Sequence, residues 1–367
     1  MPRVTKQEHR MADGRELIYF DDADTRLGPE RSADLRTLDP RPSTPVMRQD
    51  PLTGEWISIA EARQNRVFLP PRDQDPLAPA TSANPSEIPD NYDVVVFENR
   101  SPSFGPEMSA GYTDDQLTSI GIGRSLPAIG RCEVVCFSPE SFGSFGSLTE
   151  SRARTVIEAW ADRTAALSAL PGVREVFPFE NRGEAIGVTL HHPHGQIYSY
   201  PYVTPRTQRL LDSIDRFEGD LFESILEVES KSERVVLRGE HWIAFVPYAA
   251  RWPIEVHMLP LRHVPDFAET TNDERNELAS LYLRLLRGID ALYKTPTPYI
   301  AAWHQAPTEI GRDTVRLMLQ LTSPRRSKDK LKYLAGSESA MGAWIGDVVP
   351  ETAAAAIRDA IAKAHAK

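Results

Sequence analysis

Two stretches of this chain run through the same succession of elements. The β-branched run "GRCEVVCFSPE" is followed by a helical stretch from residue 148, then by "VREVFPFENRG" and "LHHPHGQIYSYP". Later, "WPIEVHMLPLRH" leads into a helical stretch from residue 272, then into "YIAAWHQAP" and "VRLMLQLTSP". Cys132 lies 60 residues before His192, and Pro253 lies 64 before Leu317. Order and spacing match with little residue identity, which is the mark of an internal duplication. Each copy reads strand, helix, strand, strand. The expected fold class is therefore α+β: two fused units of mainly antiparallel sheet with flanking helices. Only the first copy carries a cluster of histidines.

The remaining elements follow from caps and breakers. "SLTE" offers a capping box, Ser147 and Glu150, for a helix to about Leu170, and "TNDE" does the same from Thr271 for a helix to about Tyr293. Thr204 and Pro205 open what reads as one long helix to about Ser230. An alanine-rich helix closes the chain over 351–367. Residues 1–45 read as a charged extension with one strand in "LIYFDD"; "DPRPSTP" reads as an extended linker. Residues 46–203 would form the first unit and 204–350 the second. Within the first, "LPPRDQDPLAPATSANPSEIPD" (69–90) has neither helical nor strand period and reads as a long loop.

Composition closes off several functions. A net charge of −10 argues against non-specific nucleic-acid binding. No run of residues is apolar enough to span a bilayer. The first residues lack the apolar core of a secretory signal, so a cytoplasmic location is expected. The two cysteines, Cys132 and Cys136, sit on one strand, about 13 Å apart, too far for a disulfide. They read as reduced structural thiols. One basic cluster stands out from the acidic background, "PRRSKDKLKYLAGSESAMG" at 324–342.

The chemistry concentrates in "TLHHPHGQIYSY", 189–200. Alternation along an extended segment puts His192, His194 and Gln196 on one face, with His191, Gly195 and Ile197 on the other. A glycine there lets a backbone or a phosphate approach. Three readings are open. A metal could take two imidazoles, but a structural zinc needs four ligands and no Cys-x-x-Cys or carboxylate cluster accompanies them. A neutral imidazole can attack phosphorus and later leave, provided its other nitrogen is held by an acceptor. A glutamine two residues on can donate to a phosphoryl oxygen without adding charge. Both histidines could also be structural.

"HHPHGQIY" closely resembles the active-site strand of galactose-1-phosphate uridylyltransferases, a branch of the histidine-triad superfamily. "DPLTGEWISIAEARQNR", "VVVFENR", "CFSPE", "FENRGEAIGVTLHHPHGQIY", "WIAFVPYAARWPIEVHMLP" and "KLKYLAGSESAMG" resemble the family in the same order, from about residue 47 to about 350. The resemblance implies two fused histidine-triad units with one surviving active site. It implies a two-step exchange in which His194 takes UMP from UDP-glucose and passes it to galactose 1-phosphate, giving UDP-galactose. Gln196 would hydrogen-bond the transferred phosphoryl group, and His192 would orient the nucleophile. Arg63 and Arg66 would lie near the sugar phosphates and Asn99 at the uridine. Asn181, Gly187 and Thr189 belong to the stretch leading to the nucleophile. Lys332, Tyr333, Ala335, Ser337 and Glu338 match a hexose and phosphate loop that the family takes from a second subunit, so a homodimer with shared active sites is implied.

The chain departs from the family at its zinc site. Pro76 and Pro79 stand where the Cys-x-x-Cys is expected, and Ser141 stands at a histidine position. Only His192 of four ligand positions is kept, so no zinc or other cofactor is expected. A second family metal site keeps His304 but has Met318 and Gln320 where a His-x-His can occur. Ser101 stands where an aromatic residue is common. Two other activities fit the same strand chemistry less well. One is a dinucleoside-tetraphosphate or nucleotide-sugar phosphorylase, with orthophosphate as acceptor. The other is an inactive sensor of nucleotide sugars.

Overall fold

The computed structural model describes residues 3–64, 69–108, 112 and 116–365. The N-terminal half contributes ten strands: β1 (Thr5–Arg10), β2 (Glu16–Asp21), β3 (Val46–Gln49), β4 (Trp56–Ile59), β5 (Val94–Glu98), β6 (Thr118–Ile120), β7 (Gly123–Pro127), β8 (Arg131–Cys136), β9 (Glu175–Arg182) and β10 (His194–Tyr200). Its one long helix is α1 (Glu150–Ser168). The C-terminal half contributes α2 (Pro205–Arg216), α3 (Leu221–Glu229), β11 (Val235–Arg238), β12 (Trp242–Phe245), β13 (Ile254–Pro260), α4 (Asn272–Leu292), β14 (Tyr299–His304) and β15 (Met318–Ser323). A short hairpin, β16 (Arg325–Ser327) and β17 (Lys330–Leu331), then leads to α5 (Gly336–Met341) and α6 (Pro350–His365).

Eleven strands form one sheet, in the order β1-β2-β5-β8-β10-β9-β14-β15-β13-β12-β11. Read from either edge inward, with β1 set aside, the order is the same: β2-β5-β8-β10-β9 on one side, β11-β12-β13-β15-β14 on the other. The expected duplication is therefore present as topology. The two copies join where β9 pairs antiparallel with β14, Asn181 opposite Ile300. A separate four-stranded sheet, β4-β3-β7-β6, stands beside the first half.

One face of the large sheet is apolar and covered. Val135, Ile197, Trp303, Leu319 and Val256 point from it into a core shared with Trp160 of α1 and with Tyr282 and Leu285 of α4. The rings of Trp160, Phe267 and Trp303 meet there with centroids 5.0 to 5.9 Å apart. Alternation sends the neighbouring side chains, including His194 and Gln196 of β10, to the opposite face. The proline-rich stretch 69–90 runs beside β5 and is anchored, not loose: Leu77 and Ile88 are buried with Tyr92 and Val95.

Three local expectations change. The helix expected from Ser147 starts at Glu150 with Thr149 as its cap, whose hydroxyl accepts from the Arg152 amide. Ser147 is instead held in a preceding 3₁₀ turn, Phe145–Ser147. The long helix expected from Thr204 is two helices. Gly219, at φ 104°, turns the chain, and Asp220 caps a new helix by accepting from the Glu223 amide. Residues 5–21, read as holding one strand, form two, which extend the large sheet at its edge. The Thr271–Glu274 capping box is present as expected. Cys132 and Cys136 are free, buried thiols. Among the described residues, no helix is long and apolar enough to cross a membrane.

Candidate active site

β10 sits between β8 and β9 in the middle of the first half, with His194 opposite Cys136 and Gln196 opposite both Val134 and Phe179. His194 is the first residue of the strand and is half-buried. Its Nδ1 lies 2.7 Å from the carbonyl oxygen of His192. A carbonyl can only accept, so Nδ1 carries the proton and, in the neutral ring, the lone pair is on Nε2. The main chain thus selects the tautomer with its lone pair on Nε2. Gln196 lies on the same face two residues on. Its Oε1 is buried and has no hydrogen-bond partner among the described residues, so this amide retains bonding capacity for a ligand.

His192 precedes the strand and its side chain is fully buried. Nδ1 is 2.7 Å from Asp75 Oδ2, and Nε2 is 2.7 Å from the Ser138 carbonyl and 2.9 Å from the Tyr92 hydroxyl. The Tyr92 hydroxyl donates to the Leu77 carbonyl at 2.7 Å, so towards His192 it is an acceptor. Both ring nitrogens of His192 therefore face hydrogen-bond acceptors. Burial pushes the Asp75 carboxyl up, but hydrogen bonds from His192, Ser141 and the Leu77 amide outweigh it and leave its pKa below the ordinary value. The third histidine, His191, faces outward with Nε2 3.5 Å from Glu184.

Of the two approaches expected at Gly195, a backbone or a phosphate, the structure shows the backbone one. A Cβ there would sit 2.8 Å from Cζ of Phe137 and 2.9 Å from the Phe179 carbonyl oxygen, on the covered face. The glycine lets the strand lie against Phe137.

The structure gathers several of the other expected residues near β10. Arg63 Nη1 donates to the Ser101 carbonyl at 3.1 Å. The Asn99 amide donates to the Cys132 carbonyl at 2.8 Å, and Asn99 Oδ1 accepts from the Ser101 amide at 3.0 Å. Cys132 lies opposite Tyr198, one same-face step along from Gln196. Asn181, two residues beyond Phe179 on β9, falls opposite His194 when the register is extended. Gly187 is in the left-handed region at φ 83° with open space around it, and the Thr189 carbonyl accepts from the Leu69 amide at 2.8 Å. Arg66 lies outside the described residues.

The 332–338 segment is elsewhere. The ammonium of Lys332 is buried, 2.7 Å from Glu338 Oε1 and 2.9 Å from the Arg251 carbonyl. Glu338 Oε2 also accepts from the Ala335 amide at 3.0 Å, while Tyr333 and Ser337 are exposed. Arg251 leads into β13, four strand spacings from β10, or about 19 Å. Within one chain this segment packs on the second half, where Lys332 donates to the Arg251 and Ile345 carbonyls.

In that second half, β15 corresponds to β10, and Met318 and Gln320 stand where His194 and Gln196 stand in the first. Gln320 is committed: its amide donates to Glu255 at 2.7 Å, and its Oε1 lies 3.3 Å from Nε2 of His304. Burial, then repulsion from Arg206, lowers His304 to a pKa of about 3. Among the described residues β15 thus lacks the His-x-His that a second metal site would use, and the imidazole that acts on His304 is that of His257 on β13.

The residues around His192 do not fit zinc either. His192 spends both ring nitrogens on protein acceptors, and Ser141 offers a neutral hydroxyl where zinc takes thiolate, imidazole or carboxylate. Among the described residues, no group of three or more His, Cys, Asp or Glu could hold a metal ion. The loop residue that reaches His192 is Asp75, one position before Pro76. The expected alignment, which put Pro76 opposite a ligand, missed it.

Comparison with known proteins agrees with this geometry. Residues 36–204 match the family model for the galactose-1-phosphate uridyl transferase N-terminal domain, and residues 201–367 match that for its C-terminal domain. A galactose-1-phosphate uridylyltransferase of Streptomyces lividans is 43% identical over 99% of both chains. One from Thermotoga maritima is 33% identical over 85% of this chain and 98% of its own. A solved uridylyltransferase structure superposes with a TM-score of 0.77 at 29% identity, covering 87% of this chain and 99% of that one. Fold and similarity together define a nucleotidyltransferase built from two histidine-triad-like halves. The chain belongs to the galactose-1-phosphate uridylyltransferase family.

Proposed function

We propose that the chain transfers UMP between UDP-glucose and galactose 1-phosphate through a uridylyl-histidine intermediate. The observation that carries this reading is the hydrogen bond from His194 Nδ1 to the His192 carbonyl, which directs the lone pair to Nε2. In the first step Nε2 bonds to the α-phosphorus of UDP-glucose, the bond to the bridging oxygen breaks, and glucose 1-phosphate leaves with that electron pair. In the second, a phosphate oxygen of galactose 1-phosphate attacks the same phosphorus and the imidazole leaves, giving UDP-galactose. Gln196 steadies the phosphoryl oxygens through its amide. Arg63 and Arg66 supply positive charge to the sugar phosphates, Asn99 meets the uridine, and Asn181, Gly187 and Thr189 shape the approach to the phosphorus.

No metal takes part in this reading; metal analysis of the purified protein giving about one zinc per chain would sink that element of it. A homodimer completes the site, with the exposed Tyr333, Ala335 and Ser337 reaching the partner's His194 and the buried Lys332–Glu338 pair holding that loop in shape. Two features support it: the distance of this segment from its own β10, and the exposure of Tyr333 (76%) and Met341 (80%) beside it. Mixing His194→Ala chains with Tyr333→Ala chains, each inactive alone, should recover activity only if sites are shared. The chain works in the cytoplasm, where its two thiols stay reduced.

Intact-protein mass spectrometry after brief exposure to UDP-glucose, quenched without acid, tests the core of the reading. A gain of one uridylyl group, lost on adding galactose 1-phosphate, is expected. His194→Ala should bind UDP-glucose and never gain the group. Adduct loss that instead requires orthophosphate would make the enzyme a phosphorylase.

A further inference from the structure

We propose that Asp75 is a positioning residue for the nucleophile, acting through His192, and that this hydrogen-bonded clamp does without metal what a zinc ion would do at the same corner. The inference rests on the reading of His194 as nucleophile.

Four segments meet at the His192 ring. Asp75 comes from the proline-rich stretch, Tyr92 from the residues entering β5, Ser138 from the end of β8, and His192 itself leads into β10. Nδ1 binds Asp75 at 2.7 Å and Nε2 binds Ser138 at 2.7 Å and Tyr92 at 2.9 Å, so the ring is fixed in its plane at both ends. Asp75 is in turn held: its Oδ1 accepts from the Leu77 amide at 2.9 Å, and its carboxylate also bonds Ser141. Asn84 donates to the Asp75 carbonyl at 2.8 Å, so the main chain is tied down as well.

Fixing the ring fixes the His192 backbone. The Pro193 carbonyl accepts from the Phe137 amide at 3.0 Å, and the His192 carbonyl accepts from His194 Nδ1 at 2.7 Å. The chain of contacts thus runs from the carboxylate through an imidazole ring and a main-chain carbonyl to the attacking ring. The pair acts on His194 by placing a carbonyl oxygen. That placement matters in both steps, because the same oxygen must hold Nδ1–H while Nε2 bonds to and leaves phosphorus.

An aspartate also explains why the ring is not turned over. Removing it would leave a buried N–H without an acceptor, whose cost is met most cheaply by rotating His192 away and taking its carbonyl along.

The test compares Asp75→Ala and Asp75→Asn with the unaltered enzyme. The readouts are the burst rate of glucose 1-phosphate release, UDP-glucose affinity, melting temperature and zinc content. Asp75→Ala should slow the burst about 30-fold or more with UDP-glucose affinity within about threefold, since outer partners of a functional histidine typically carry a 10- to 100-fold effect. Asp75→Asn keeps an oxygen that accepts from Nδ1–H and should recover most of the rate, to within about tenfold. A burst unchanged by Asp75→Ala in folded protein would overturn the clamp. So would rate and affinity falling together with Asn no better than Ala, which is the signature of a merely structural residue. Stoichiometric zinc in the unaltered enzyme would overturn it as well. Should Asp75→Ala fail to fold, the isosteric Asn variant decides: a burst slowed as far as that of His192→Ala would count against an oxygen-acceptor role. No burst in the unaltered enzyme would overturn both the covalent reading and the clamp that depends on it.

Discussion

His194 shows how one backbone atom decides the chemistry of a side chain. An imidazole on a strand edge can carry its proton on either nitrogen, and only an acceptor on one side breaks the tie. Here the acceptor is the carbonyl two residues back. That spacing was legible in the sequence as His-x-His-x-Gln. Asp75 was not legible, because an aspartate before a proline reads as a turn former, and nothing in its neighbourhood announces a histidine 117 residues away. Gly195 was legible as a point of close backbone approach, but the aromatic ring that shares the space was not. Its neighbours are an aromatic ring fixed by Phe145 and Trp160 and a main-chain oxygen, neither of which can yield. Gly195→Ala should therefore cost about 1–3 kcal/mol of stability as overpacking, visible as a lowered melting temperature. An alanine variant as stable as the parent would mean that β10 can lift off Phe137.

At the scale of elements, the inner strands were legible because β-branched runs such as "VVVFE" and "CEVVC" have few alternatives once helices cover one face. Helix limits were less so. "SLTE" offers two hydroxyls as caps, and the choice between Ser147 and Thr149 depends on the 3₁₀ turn before them. Gly219 inside a helical pattern reads as a tolerated weakness, but α2 already ends at Arg216 with Phe217 extended, and Gly219 lies in the turn between two helices. β9 hides a further feature. Glu180 points into the covered face, with the Tyr299 hydroxyl 3.0 Å from both its oxygens. Burial raises its pKa from the ordinary 4.5 to about 8, against the pull of Tyr299 and Arg182. In the folded chain this carboxyl stays protonated up to about pH 8, whereas unfolded it ionises above 4.5. The native state therefore holds the extra proton between those limits. The stability tied to this group is complete below pH 4.5 and is lost as pH rises to about 8, by at most about 1.4 kcal/mol per pH unit. Glu180→Gln keeps an acceptor for Tyr299 and removes the ionisation. Melting curves from pH 5 to 8.5 should show the variant losing less stability than the parent, with the gap widening towards pH 8 and then level. Parallel curves would mean that Glu180 is ionised in the native state.

At the scale of the molecule, duplication has left two halves with one fold and unequal chemistry. Met318 cannot attack phosphorus as an imidazole does, and Gln320 is held by Glu255 and His304, so the second half keeps the strand without the reaction. Its contribution is the core. Trp160 on α1 of the first half packs against Phe267, Tyr282 and Trp303 of the second, at centroid distances of 5.4, 6.5 and 5.9 Å. The sheet also runs unbroken from β9 to β14. Sequence could show the repeat but not this sharing, because the residues that meet are more than a hundred positions apart and each is an ordinary core aromatic by itself. A chain with two cores would unfold in two steps; a chain whose halves share one should unfold in one. Calorimetry of the unaltered protein is expected to give a single transition with matching calorimetric and van't Hoff enthalpies. Trp160→Ala, which empties the shared centre, should lower that single transition by about 3–5 kcal/mol and take uridylylation of His194 down at the same midpoint. Two resolved transitions, with only the first half's activity tracking the lower one, would show instead that the catalytic half stands by itself and that its silent twin is present for something other than holding it together.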